Sequence, residues 1–167
     1  MKWVTRRNAH VDRTACPWLI RKFIDPVAEF IFVSSLEDAS ATGAIPFDMR
    51  GVELSHRDGR CTFEVIVEKY SLRGDSALVE MGRVLRDSDV PPSRTRRQEA
   101  AGVDALIRGF QLAVPDDQEK LRLTAPLYDA LYSYCRAKAA TTPANQGAPK
   151  PRLRYRRRMQ AHLEEDV

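Results

Sequence analysis

Val11-Asp12-Arg13-Thr14-Ala15-Cys16-Pro17-Trp18-Leu19-Ile20-Arg21-Lys22-Phe23-Ile24-Asp25-Pro26 lies between two short runs of strand-forming residues, Trp3 to Thr5 and Glu29 to Val33. Within it Leu19, Ile20, Phe23 and Ile24 recur at helical spacing and make one apolar face. Pro17 suits a first helical position, where a missing N–H costs nothing, and Pro26 stops the helix. The stretch therefore predicts strand, helix, strand, with the helix opening next to Cys16.

Working outward, Ile45 to Phe47 and Val52 to Leu54 are expected to pair as a short hairpin about Arg50-Gly51, with Pro46 confining the first to a sheet edge. Helices follow. Thr62 is placed to cap one carrying Phe63, Ile66, Val67 and Tyr70, and a second runs from Asp75 to about Asp87 with Leu78, Met81, Val84 and Leu85 inward. Pro91 to Arg97 reads as a connection, Glu99 to Val114 as a third helix, and Asp116 or Asp117 caps a last one reaching about Lys138, started or kinked at Pro126. This order predicts an α+β fold, a small mixed sheet of about three to four short strands packed against a mainly helical C-terminal part. One domain is expected over residues 1–140, and the Pro-rich run after Ala140 reads as the start of a flexible tail over 141–167.

The net charge of +4 is unevenly placed. Residues 1–140 carry 21 Lys/Arg against 20 Asp/Glu, whereas 141–167 carry 6 against 3, all six basic residues lying in Lys150 to Arg158. The body is almost neutral; the tail either draws phosphates, giving weak DNA or partner contact, or merely aids solubility. The charged opening Met1 to Arg7 is no signal peptide and no apolar run is long enough to span a membrane, so a cytoplasmic location is expected. Three widely spaced cysteines, Cys16, Cys61 and Cys135, predict reduced thiols and no disulfide framework. GxSxG, Walker and GxGxxG patterns are absent, which turns attention from acyl and phosphoryl transfer.

The Val11 to Pro26 block resembles the signature of the ChrB C-terminal domain, a family found in chromate-resistance operons and as stand-alone domains. Two further blocks agree in order and spacing: Pro46 to His56 followed by Cys61-Thr62-Phe63, and Tyr128 to Arg136. The resemblance covers roughly residues 1–138 and implies a role in chromate or oxyanion stress, through sensing, operon regulation or an enzymatic step. A stand-alone domain without the N-terminal half of full-length members is not expected to regulate transcription directly.

Several residues carry chemistry. Cys16, at the expected helix start, reads as a soft metal ligand or redox thiol, or as a small buried residue under Trp18. Arg13 precedes the same helix start and either helps bind an oxyanion or pairs with Asp12, Asp25 or Asp48. Glu53 and His56, three residues apart, suit one divalent cation (Fe, Mn or Zn), with Asp12, Asp48 or His10 completing the shell. That requires a bend near Leu54-Ser55, because a regular strand would point the two to opposite faces; otherwise they form a hydrogen-bonded structural pair. Tyr128, Asp129, Tyr132 and Tyr134 either line the same cleft or belong to the core. The partner expected is a small oxyanion or metal ion. The function expected is a metal-dependent redox protein or, alternatively, a non-enzymatic sensor using the basic tail.

Overall fold

The computed structural model describes residues 1–89 and 97–141. Strand β1 (Lys2–Arg6) is followed by α1 (Val11–Phe23), β2 (Glu29–Val33), the short α2 (Leu36–Ala41) and β3 (Ile45–Pro46). Then come α3 (Thr62–Lys69), a 3-10 turn (Leu72–Gly74), α4 (Ser76–Asp89), α5 (Gln98–Ala113) and α6 (Asp117–Thr141). The α+β expectation holds. The basic tail, read either as a weak DNA or partner contact or as an aid to solubility, lies outside the described residues.

The three strands run in the order β2-β1-β3 and both pairings are parallel, Trp3 opposite Phe30 on one side and Ile45 on the other. Two expectations are corrected here. The sheet is parallel among the described residues rather than mixed, and Val52 to Leu54 forms no hairpin with Ile45 to Phe47. Phe47 instead donates its N–H to the Val4 carbonyl and so extends β1, while Leu54 returns to Phe47 through a single parallel bridge. Left-handed backbone at Asp48 (φ 49) and Gly51 (φ 88) turns the chain away from a hairpin path into an irregular loop.

Helix α1 begins at Val11, six residues before Pro17. The proline is therefore interior, and the Arg13 carbonyl loses its usual intrahelical donor. Burial of this helix outweighs that loss: Val11, Ala15, Cys16, Leu19 and Ile20 are all fully buried. Trp3 on one face of β1 joins them in the main core with Phe63, Ile66, Leu78, Met81, Leu85, Ile107 and Tyr128. Val4, on the other face, packs in a small second cluster with Val33, Ala39 and Met49. Ser35 and Asp38 form a capping box that starts α2.

The loops after β1, β2 and β3 leave the same edge of the sheet because all three strands are parallel. The carboxyl ends of parallel strands are where open sheets bind ligands. The Arg7 to His10 loop is pinned there, since Asn8 and Ala9 donate their main-chain N–H groups to Asp117 at 2.7 and 2.8 Å, and the buried Lys120 ammonium balances that carboxylate at 2.9 Å.

Candidate metal centre

Asp12 sits in the first turn of α1 with its side chain wholly buried. Its carboxylate accepts the Thr62 N–H at 2.6 Å and the Phe63 N–H at 3.4 Å, so it serves two of the orphan donors that open α3. Asp48, just past β3, accepts from the Thr62 hydroxyl at 2.6 Å and from Arg13 Nε at 3.0 Å. Asp89 ends α4. The irregular loop from Asp48 delivers His56 into the middle of these three acids. Its Nε2 lies 3.0 Å from Asp12 Oδ2, 3.1 Å from Asp89 Oδ2 and 3.3 Å from Asp48 Oδ1. Asp12, His56 and Asp89 each offer a ligand atom, all within 4.8 Å of one another.

The protonation of this group follows from its surroundings. Hydrogen bonds to Asp12, Asp48 and Asp89 push the His56 imidazole up to about 12, against a smaller desolvation penalty. Burial pushes the Asp12 carboxyl up to about 6 despite its hydrogen bond to His56. Burial also opposes ionisation of Asp89, yet hydrogen bonds to His10 and His56 outweigh it and hold that carboxyl well below the usual range. Asp48 is likewise held low, with His56, Thr62 and Arg13 overcoming its burial. Behind Asp89, His10 Nδ1 lies 3.2 Å from Asp89 Oδ1, and its Nε2 is 3.1 Å from Asp104 Oδ1 without the alignment of a hydrogen bond.

A family model described as ChrB, C-terminal domain, matches residues 3–135, which include the whole of this cluster. The chain belongs to the ChrB C-terminal domain family. It is 34% identical over 133 residues to Protein ChrB of Cupriavidus metallidurans, an alignment covering 80% of this chain and 40% of that relative. The chain thus spans less than half the length of the curated relative it matches. No solved structure matches it.

In this ChrB C-terminal domain the residues singled out from sequence separate into two groups. Asp12, Asp48, His56 and Arg13 meet at one place; Glu53 and Cys16 do not join them. Glu53 is corrected: the loop is bent, as sharing an ion with His56 required, but the Glu53 side chain is 65% exposed and pairs with Lys69 Nζ at 2.6 Å. Cys16 is corrected for the reason already given for Pro17. It lies inside α1 rather than at a helix N-terminus, and burial, reinforced by the charges of Asp12 and Asp48, raises its thiol well above the ordinary value. The packing reading of Cys16 is the one the geometry supports. Arg13 does pair with Asp48, one of the carboxylates expected for it.

Tyr128 belongs to the core, its hydroxyl 2.6 Å from Thr14 Oγ1, while Tyr132 donates to Asp75 at 2.7 Å and Tyr134 to Glu99 at 2.7 Å. Asp129 accepts from Trp18 Nε1 at 3.0 Å and pairs with Lys22. None of the four lines the His56 cleft. Sequence reasoning missed Asp89 and Asp104. One signal for Asp89 was available: a carboxylate in the last turn of a helix opposes the helix dipole, so the position has to be repaid by a cationic or metal partner.

Beside the cluster opens a hollow of about 630 Å³, lined by Asp48, His56 and Asp89 together with Arg6, Arg13, Arg50 and Arg57, Arg13 being the one paired with Asp48. Clustered carboxylates with one imidazole suit a hard or borderline divalent cation, and the arginines lining the same hollow suit an anion.

Proposed function

We propose that Asp12, His56 and Asp89 hold one divalent transition metal of the Fe, Mn or Zn class, and that this centre is the working part of a chromate- or oxyanion-stress domain. The observation that carries the reading is three carboxylate oxygens within 3.3 Å of a single imidazole nitrogen. An imidazole nitrogen has one N–H and fully serves one acceptor. Ligands about 2.1 Å from a shared ion stand roughly 3.0–3.4 Å apart for octahedral to tetrahedral angles. The spacing around His56 Nε2 is thus the spacing of neighbouring ligands on one cation. Asp48, already engaged by Thr62 and Arg13, completes the acidic wall, and His10 steadies Asp89 from behind as outer partners of metal ligands do.

Three protein ligands leave open positions for water or an oxyanion, and the arginines lining the hollow draw that anion in. Chromate is the oxyanion the family points to. If the domain catalyses a step, a metal-assisted redox step fits these residues better than nucleophilic catalysis, because the buried thiol of Cys16 has no thiolate to offer.

A non-enzymatic sensor is the second reading, and Asp12 favours it. The same carboxylate that faces the cation site holds the first N–H groups of α3, so occupancy bears directly on a helix end. Elemental analysis of the purified chain tests the common core of both readings. Near-stoichiometric Fe, Mn or Zn that is lost in His56→Ala is expected; folded protein that takes up none of these metals on dialysis would refute the centre.

A further inference from the structure

Most arginines among the described residues face a carboxylate, including Arg60, Arg73, Arg83, Arg86, Arg97, Arg108 and Arg122. Arg6, Arg7 and Arg50, like Arg21 and Arg136 elsewhere, have no carboxylate within salt-bridge reach among the described residues, and the Arg57 guanidinium donates to the Glu53 main-chain carbonyl. Arg6, Arg7, Arg50 and Arg57 line neighbouring hollows that share lining residues at the carboxyl edge of the sheet. Arg6 and Arg13 wall both the hollow beside His56 and a neighbour of about 330 Å³. Arg7, Asn8 and Gln111 wall that neighbour and a third hollow of about 630 Å³, which adds Phe32 and the carboxylates Asp116 and Asp117, so the basic character lies at the Arg6 and Arg7 end.

Size and charge together decide what fits. A tetrahedral oxyanion engages one or two guanidinium groups and fills a small fraction of a space that, at 300–1,000 Å³, is the usual scale for an organic ligand. Unpaired guanidinium groups gathered on one edge repel each other and are relieved by several phosphates in a row, which their planar fork binds bidentately. Farther along, the half-buried Phe32 lines the third hollow beside Asn8 and Gln111, whose amides bond to each other, so an aromatic and polar wall is available to a base there.

We propose that this arginine-lined track binds a nucleoside polyphosphate, its phosphates on Arg6, Arg7 and Arg50 and its base toward Phe32. The proposal goes beyond the metal centre and does not depend on it, since the arginines lie outside the ligand set.

Calorimetric titration of the full chain in EDTA tests it, with ATP, tripolyphosphate, inorganic phosphate and a short DNA duplex as probes. ATP is expected to bind at least about tenfold more tightly than inorganic phosphate or tripolyphosphate, and Arg6→Ser with Arg7→Ser to weaken it about tenfold or more. Equal binding of ATP and tripolyphosphate would remove the base from the proposal. Binding that survives the double substitution would move the ligand to the basic tail. Duplex DNA that binds more tightly through the same arginines would make the track a nucleic-acid surface, and each of these three results overturns the assignment. Metal content measured on the same variants is expected to be unchanged, which keeps failure of the track distinct from failure of the metal centre.

Discussion

Charge is handled in opposite ways in two regions of this molecule. Around α4, α5 and α6 opposite charges are interleaved: Glu80 alone meets Arg83 and Arg97 at 3.3 Å and Lys138 at 3.2 Å. At the carboxyl edge of the sheet the signs are segregated, with three aspartates crowded about His56 and unmatched arginines a short way off. Interleaving serves the fold, since each ion is satisfied in place. Segregation gathers three acids on one imidazole and leaves Arg6, Arg7 and Arg50 without a carboxylate partner among the described residues, and this is where the proposed ligands would add charge.

The largest effect that tests this contrast is on metal affinity. Asp89→Asn is expected to weaken metal binding by more than about 100-fold, beyond the tenfold to hundredfold range of residues that only support a ligand, and Asp104→Asn is expected within that range. Glu53→Gln, removed from the cluster, should change the affinity less than about twofold, by competition with a chromophoric chelator. A Glu53 effect as large as that of Asp89 would restore the simple pairing read from sequence.

The same competition assay run against pH sharpens the point. In the metal-free domain folding raises the His56 value above its unfolded 6.5 to about 12, so its stabilising contribution is fully present below pH 6.5 and is lost as pH rises through 12. Metal has to displace that proton, and apparent affinity should climb with pH, by about tenfold per unit when one proton is released. A flat profile from pH 6 to 8 would show that His56 is not a ligand.

Effects on the interleaved side are smaller and fall on stability. A Cβ at Gly82 would stand 2.8 Å from Glu64 Cγ, a side chain held by Arg86 and by the α3 cap, so Gly82→Ala should cost about 1–3 kcal/mol in urea unfolding. Glu80→Gln should cost about 1 kcal/mol near neutral pH. Burial works against ionisation of Glu80, but Arg97 and Lys138 hold its carboxyl below the ordinary 4.5. Its contribution is therefore present above that value and disappears as pH falls through the folded one, so variant and parent should converge in acid. Smallest of all, Arg6→Ser or Arg50→Ser should leave stability within about 0.5 kcal/mol, because neither guanidinium has a carboxylate to lose.

Much of the architecture was legible in sequence, for reasons that differ element by element. The apolar periodicity of α1, α3, α4 and α5 reports burial directly, and Glu29 to Val33 reads as a strand through its β-branched and aromatic run. Pro17 misleads because its preference for a first turn suggests a boundary, whereas burial of Val11 and Ala15 carries the helix back to Val11. The hairpin failed because parallel pairing with β1 depends on contacts over 40 residues apart, which local pattern does not encode. Asp12, Asp48 and His56 were found by residue chemistry; Asp89 was not, since only the docking of α4 against α1 and α3 brings it there. Glu53 was chosen for its nearness in the chain, and an irregular loop does not preserve that nearness in space.

The pin that Asp117 places on Asn8 and Ala9 sets a timetable for biosynthesis. Asp12, Asp48, His56 and Asp89 all leave the ribosome before residue 117 does, yet the loop that carries His10 behind Asp89 is clamped by the opening turn of α6. The three carboxylates and the imidazole are thus made early, and the clamp on the neighbouring loop can close only once the opening turn of α6 has followed.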